Sequence, residues 1–348
     1  MAAQHADPRP ADSSAHTAPV KAVVFDRYGA PEVLHAIELP MPQAGPGEIR
    51  VRVRAAGVRP SDIAARSGLN RDGESCDIDP LAFPRRLGNE FAGIVDQVGA
   101  GVDAFAPGDE VMGWAVAMSY AEVLTVPAEQ VVHKPVTMSW AVAGALPSTG
   151  QTALAALRNL RLRRGERVLI HGAASGIGSV AVQLARAWGL SVIGSAAAAD
   201  HDYLRALGAL PIDDDHRGNA QARALAPDGV DAVFDALGVD RFDGWLAPSG
   251  DERLDDRLAL CRDPGRIATL CDSPRARRLG LQIVRSQRSR ARLAELVAMH
   301  ERHGLLVHVR EMFPLTRAAE AHRAVERGPG RGKVVLMVYA PLALRFCA

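Results

Sequence analysis

Cysteine is scarce: 4 occur in 348 residues, Cys76, Cys261, Cys271 and Cys347, and no two share a C-x-x-C spacing. That excludes a disulfide framework and a zinc knuckle and implies a reducing compartment, expected to be the cytoplasm. Net charge is nearly absent. With 41 basic against 40 acidic side chains, no overall field draws nucleic acid or an anionic membrane surface. No apolar run is long enough to cross a bilayer, so no membrane partner is expected. Residues 1–19 lack the apolar segment of a secretory signal and read as a disordered tail. Aromatic residues are few as well, and none interleaves the arginines at 275, 277, 278, 285, 288, 290 and 292. That basic cluster therefore reads as a solvated face, not as a nucleic-acid surface.

What is present is an ordinary globular composition, 48% hydrophobic and 23% charged, at a length that suits two domains. One stretch organises the rest. Val168 to Ile170 is a short apolar run with the signature of a strand buried on both faces. Gly172, Ala173, Ala174, Ser175, Gly176, Ile177 and Gly178 then form a tight turn, and Ser179 to Trp188 has helical spacing. Strand, glycine-rich turn and helix in that order mark a dinucleotide site. Small residues let the backbone approach a pyrophosphate, and the helix N-terminus offers free N–H groups and a positive dipole end. In G-x-G-x-x-G register the positions are Ala173, Ser175 and Gly178, so only the last is glycine.

A second strand, Ser191 to Gly194, completes the unit. About twenty residues past the turn, an acid would bind the ribose 2′-hydroxyl of NAD and repel a 2′-phosphate. The chain reads Gly194-Ser195-Ala196 there and has no acid before Asp200. NADP(H) is the cofactor this favours, with Ser195 and Ala196 beside the ribose.

Before Thr137 the chain is rich in short strands and punctuated by glycine. Glu48 to Ala55 alternates strictly, with Ile49, Val51 and Val53 on one face, which predicts a half-buried antiparallel strand. Phe91 to Val98, Gly108 to Gly113 and Tyr120 to Val126 continue what reads as a small twisted barrel. Residues 69–86 are polar and Pro-bearing, an expected mobile loop over the site. After Thr137, Ala-rich helices alternate with strands, so the fold class is α/β with a doubly wound parallel sheet. Val230 to Asp235 and Arg266 to Leu270 are two such strands. Leu237, Gly238 and Leu270, which follow them, are expected at the cofactor. A helix at Arg290 to His303, a strand at Val307 to Phe313, a helix at Thr316 to Glu326 and a strand at Lys333 to Val338 complete the chain.

Several motifs recur in a fixed order: Ala55-Ala56-Gly57-Val58-x-Pro60-x-Asp62, Gly88-x-Glu90-x-Ala92-Gly93, Gly108-Asp109-x-Val111, Leu146-Pro147-x-x-Gly150-x-Thr152-Ala153, Phe313-Pro314-Leu315 and Gly332-Lys333-Val334-Val335-Leu336. Together they resemble the medium-chain dehydrogenase/reductases, in the zinc-independent, quinone-oxidoreductase-like (zeta-crystallin-like) branch, over roughly Lys21 to Val338. The resemblance implies a GroES-like β-barrel catalytic domain from residues 20–137 and 306–342. A Rossmann domain, 138–305, lies between those parts, with a cofactor cleft at the junction. It also implies a homodimer paired through the sheet edge at Leu281 to Val284, and hydride transfer from NADPH to a small quinone or α,β-unsaturated carbonyl.

The same resemblance addresses metal. Zinc-using relatives take ligands at positions that here hold Arg59, Asn89 and Ala145, none of them competent, so no metal is expected. Arg59 stands where the branch usually has Asn, either steadying an oxyanion or pairing with Asp62 or Glu90. Ser61 matches a proton-relay hydroxyl and is equally a helix N-cap, and Asp62 is either a base or a brace for the loop. Thr149 is implied to touch the nicotinamide. The Lys and Tyr that NADPH users place near Asp200 and Asp214 are missing, which leaves His201 or Arg205 for the 2′-phosphate. A catalytically idle nucleotide-binding sensor, or a nucleic-acid binder on the same fold, is the alternative.

Overall fold

Apolar and β-branched residues crowd the first described strand, which lies in antiparallel sheet. The computed structural model describes residues 18–68, 83–215, 217–237, 259–272, 274–328 and 330–338. The expected loop over the site lies outside the described residues as far as position 82, and so does Gly238. Strand β1 (Val20–Phe25) pairs with β2 (Leu34–Leu39). Then come β3 (Glu48–Val58), helix α1 (Pro60–Ser67), β4 (Arg85–Arg86) and β5 (Phe91–Val98), followed by β6 (Glu110–Gly113), β7 (Val123–Pro127) and β8 (Val131–His133). β4 adds to β1, so the last two residues of the expected loop are strand. β3 is the axis of the region, with Ile49 opposite Val98 on β5 and Val126 on β7.

Being central changes β3 from what its alternation predicts. Ile49, Val51 and Val53 are buried, but so is Arg50, at 2% exposure. Its Nε donates to Asp96 at 2.7 Å and its Nη1 to the Pro42 carbonyl at 2.9 Å. A polar alternate position in a covered strand is buried by pairing rather than by turning to water.

Helices α2 (Trp140–Ala145) and α3 (Pro147–Asn159) follow, separated at Pro147, which suits a first helical position and cannot continue the helix before it. The next run is β9 (Arg167–His171), α4 (Gly176–Ala187), β10 (Ser191–Ala196), α5 (His201–Ala206), β11 (Leu210–Asp213), α6 (Arg217–Leu225), β12 (Ala232–Asp235), β13 (Ile267–Thr269), α7 (Pro274–Arg278) and β14 (Gln282–Ile283). These strands form a six-stranded sheet ordered β11-β10-β9-β12-β13-β14, parallel at every pairing. Val168, Leu169 and Ile170 of β9 are each 0% exposed, as a strand covered on both faces requires. Helix α8 (Arg290–His303), β15 (Val309–Pro314), α9 (Ala318–Glu326) and β16 (Lys333–Met337) then carry the chain back to the first region, where β16 joins β3.

One apolar core runs from β9 and α4 through α3 to Ala55, Ala92 and Met112 of the β-rich part. A second fills that part alone, around Phe25, Ile49, Phe91 and Leu124. The shared core seats α3 against both layers. Its N-terminus lies where they meet.

Candidate functional site

The glycine turn joins β9 to α4 at the carboxyl end of the parallel sheet. Gly172 has φ +68°, a left-handed backbone that glycine adopts without strain. Ser175 caps α4, its Oγ accepting from the Gly178 N–H at 3.1 Å, so the helix begins at Gly176, earlier than its sequence spacing predicts. Gly178 is the residue with no room: a Cβ there would lie 2.1 Å from the Gly172 oxygen. Ala173 and Ala174 are buried, while Gly172, Ser175 and Ile177 form the half-exposed face. This tight turn on a helix N-terminus fits a dinucleotide pyrophosphate.

The neighbouring strand ends converge on it. A Cβ at Gly172 would lie 2.4 Å from Leu237 Cγ, so Leu237 packs over the turn. Asp235 holds that corner, accepting from the Leu237 N–H at 3.1 Å and the Thr269 hydroxyl at 2.8 Å. Leu270 donates its N–H to the Asp235 carbonyl at 3.3 Å. Leu237 and Leu270 are thus brought together.

At the ribose position the geometry corrects the sequence reading. Ser195 is 0% exposed, and its Oγ lies 2.8 Å from His171 Nδ1. Ala196 is buried as well, and Ala197 is the first exposed residue after β10. His201 turns inward, its Nε2 3.2 Å from the Ala196 carbonyl and 3.5 Å from Asp213 Oδ1. Arg205 pairs with Asp202 on the outside of α5. The cation at this corner is one the sequence reading missed. Arg331 reaches Asp200 at 2.8 Å and stacks over the Tyr203 ring at 4.9 Å. No local signal announces it, since Asp200 lies 131 residues away.

The facing wall comes from the β-rich part. Arg59, not Ser61, is the N-cap of α1, and Pro60 takes the first helical position. Asp62 accepts from the Arg59 N–H at 2.9 Å, from Asn89 Nδ2 at 2.7 Å and from the Tyr120 hydroxyl at 3.3 Å. At 1% exposure, saturated by these donors, Asp62 braces the loop and cannot reach a substrate as a base. Burial raises its carboxyl above the ordinary range, against the pull of Arg59. Burial and the Asp62 carboxylate push the Tyr120 phenol well above its usual value. Behind it His322 Nε2 lies 3.2 Å from the Tyr120 hydroxyl, and burial drives that ring down to about 3, so it stays neutral. Among the described residues the buried Ser61 hydroxyl has no hydrogen-bond partner that would make it a relay.

Glu90 lies at the junction, 0% exposed. One oxygen accepts the Ser148 and Thr149 N–H groups at 2.9 and 3.0 Å, which are orphan donors of the first turn of α3. The other takes Lys333 Nζ at 2.8 Å and the Thr149 hydroxyl at 3.2 Å. Thr149 therefore spends its hydroxyl on Glu90 and is 0% exposed, which removes that hydroxyl from a nicotinamide. Arg59 is left as the half-buried cation on this wall, its Nη1 donating to Ser148 Oγ at 2.7 Å. It pairs with neither Asp62 nor Glu90 through its side chain. A cation fixed there can stabilise negative charge developing on an oxygen. At the other two positions where zinc-using relatives hold ligands, Asn89 donates to Asp62 and Ala145 is fully buried in α2.

An alcohol dehydrogenase GroES-like domain model matches residues 45–136, and a zinc-binding dehydrogenase model matches residues 207–336. A solved NAD-dependent alcohol dehydrogenase is 30% identical, covering 92% of this chain and 100% of that one with a TM-score of 0.78. The chain belongs to the medium-chain dehydrogenase/reductase superfamily. Within the medium-chain dehydrogenase/reductases it falls in the quinone-oxidoreductase-like branch. Escherichia coli quinone oxidoreductase, solved with NADPH, is 25% identical over 91% of this chain and 99% of that one, with a TM-score of 0.76. The CurK enoyl reductase is 26% identical over 92% and 99%, with a TM-score of 0.80. Among curated relatives, mitochondrial NAD(P)H oxidoreductase RTN4IP1 of Bos taurus is 28% identical over 90% of this chain and 88% of that protein. The pikromycin polyketide synthase component PikAII of Streptomyces venezuelae is 34% identical over 84% of this chain, which spans only 8% of that synthase. The relatives it matches thus include an NAD(P)H oxidoreductase and a quinone oxidoreductase solved with NADPH. Among the described residues no helix is long and apolar enough to cross a membrane.

Proposed function

We propose that this chain is a zinc-independent, NADP(H)-dependent reductase of quinones or α,β-unsaturated carbonyl compounds. Arg59 carries the reading: a half-buried cation held on Ser148 at the first turn of α3, in a position where the family resemblance implies a zinc ligand in metal-using members. Bound at the turn, the reduced nicotinamide supplies a hydride. Hydride addition to the β-carbon of an enone moves the π electrons to oxygen, and a proton from solvent then completes the saturated product. A quinone takes up hydride and proton to give the hydroquinone. Such acceptors need one donor at oxygen rather than a Lewis acid. Arg59 is that donor, Ser148 holds its guanidinium, and Asp62 holds its backbone.

The 2′-phosphate reading is supported by the corner after β10. Ala197, Ala198 and Ala199 bring no acid, and Asp200 is neutralised by Arg331. The E. coli quinone oxidoreductase was solved with NADPH. Among the described residues β14 ends the parallel sheet, and an end strand supports a homodimer paired across a two-fold axis. In the arginine cluster, Arg277 and Arg285 share Asp272 and Arg290 lies over Phe105, which disperses that charge and disfavours nucleic acid.

The test is NADPH consumption with a panel of 1,4-quinones and 2-enals, repeated after chelator treatment and metal analysis. Turnover that is indifferent to chelator and needs no stoichiometric zinc is expected. Tight NADPH binding without turnover of any acceptor would favour the idle sensor instead, and a full equivalent of bound zinc would overturn the metal-free reading.

A further inference from the structure

Four motifs far apart in the sequence meet at one buried ion pair. A Cβ at Gly57 would lie 2.4 Å from Glu90 Oε1, and a Cβ at Gly176 would lie 2.6 Å from Lys333 Cδ. Both glycines leave room for the pair. Lys333, at 6% exposure, runs its stem across the first residue of α4 and sets its ammonium on Glu90 at 2.8 Å. The segment before it is docked on the cofactor turn, with the Gly332 N–H on the Ala174 carbonyl at 2.9 Å. From Glu90 the contacts continue to the Ser148 and Thr149 N–H groups, and from Ser148 Oγ to Arg59.

We propose that Lys333 is a positioning residue: acting through Glu90, it sets the first turn of α3, and with it Arg59, in register with the cofactor turn. A carboxylate has several lone pairs to offer. The ammonium occupies one oxygen and leaves the other facing the two α3 N–H groups. Without that charge, Glu90 is a buried anion with no cationic partner at contact, which it relieves by reorienting or taking a proton. The Ser148 hydroxyl then no longer holds the guanidinium in place. The consequence for turnover rests on Arg59 being the oxyanion donor proposed above. The structural coupling does not.

The experiment therefore has two arms. Lys333→Met keeps the stem over Gly176 and removes the charge. Hydrogen exchange is measured for the segment around Ser148 and Thr149, beside NADPH affinity by cofactor fluorescence and kcat with a quinone. At least tenfold faster exchange at those two amides is expected, with kcat lowered at least tenfold and the NADPH Kd changed less than threefold. Adding Glu90→Gln, which removes the uncompensated anion, should return part of the lost kcat. If Lys333→Met does not fold, Lys333→Arg, which keeps the charge, should hold exchange at Ser148 and Thr149 and kcat within threefold of wild type, and a tenfold change in either overturns the role of the charge. Unchanged exchange at Ser148 and Thr149 overturns the coupling whatever the substrate. Faster exchange with unchanged kcat overturns the positioning role while leaving the fold contact in place. A parallel loss of Kd, kcat and unfolding temperature would make Lys333 merely structural.

Discussion

Arg59 donates from Nη1 to the Ser148 hydroxyl across 2.7 Å, tying the loop after β3 to the first turn of α3. The bond holds a half-buried cation of this wall without pairing it to a carboxylate, because Ser148 brings no formal charge. A guanidinium paired to a carboxylate would have less to give a developing oxyanion.

Arg59→Ala should accordingly lower kcat with a quinone or enone by roughly a hundredfold, with a much smaller change in NADPH Kd. An interaction made only as charge develops appears in kcat, whereas uniform binding appears in KM. Arg59→Asn, whose amide can still donate, should retain much of the activity. Equal weakening of NADPH binding in both variants would instead make Arg59 a cofactor ligand.

Cofactor choice should turn on Ala197. It is the first exposed residue after β10, whereas an acid at buried Ser195 would displace the His171 contact. Ala197→Asp is expected to favour NADH over NADPH by repelling the 2′-phosphate and accepting the ribose hydroxyl. Fluorescence titration of both cofactors checks it, and an unchanged preference would move the ribose elsewhere.

Gly178→Ala should disturb the turn itself. Its Cβ would stand 2.1 Å from the Gly172 oxygen, a backbone atom that cannot step aside without moving the turn. We expect a loss of about 1–3 kcal/mol in urea unfolding. NADPH affinity should fall at least tenfold, about 1.4 kcal/mol, in the fraction that remains folded. A variant with wild-type stability and affinity would mean that the turn has slack absent from this structure.

Acid should weaken the protein through His322. Burial lowers its folded pKa to about 3, so protons bind the unfolded ring first. Stability from this residue is complete above its ordinary value near 6.5 and is lost as pH falls from there towards 3. Asp62 contributes in the opposite sense but is common to wild type and variant. The stability difference between wild type and His322→Gln should therefore shrink by about 2 kcal/mol between pH 7 and pH 5, measured by urea titration. A constant difference would show that the ring is not a buried neutral base.

Residues close together in the chain enforce the features that can be read directly from it. Phe91–Val98 and Arg290–His303 form at the limits their periodicity predicts, since period and turn residues act within a few positions. The strand, turn and helix around Gly178, the missing acid before Asp200 and the non-ligand residues Arg59, Asn89 and Ala145 were legible for the same reason: each is a property of one position or its close neighbours. Tertiary structure alone decided who meets whom. Glu90 gathers Ser148, Thr149 and Lys333, Arg331 reaches Asp200, Arg50 is buried against Asp96, and Thr149 and Asp62 are withdrawn from the cleft to brace it. A buried charge accepts whichever opposite charge the fold sets within contact distance. That choice depends on which strand lies beside which, and no local pattern records it.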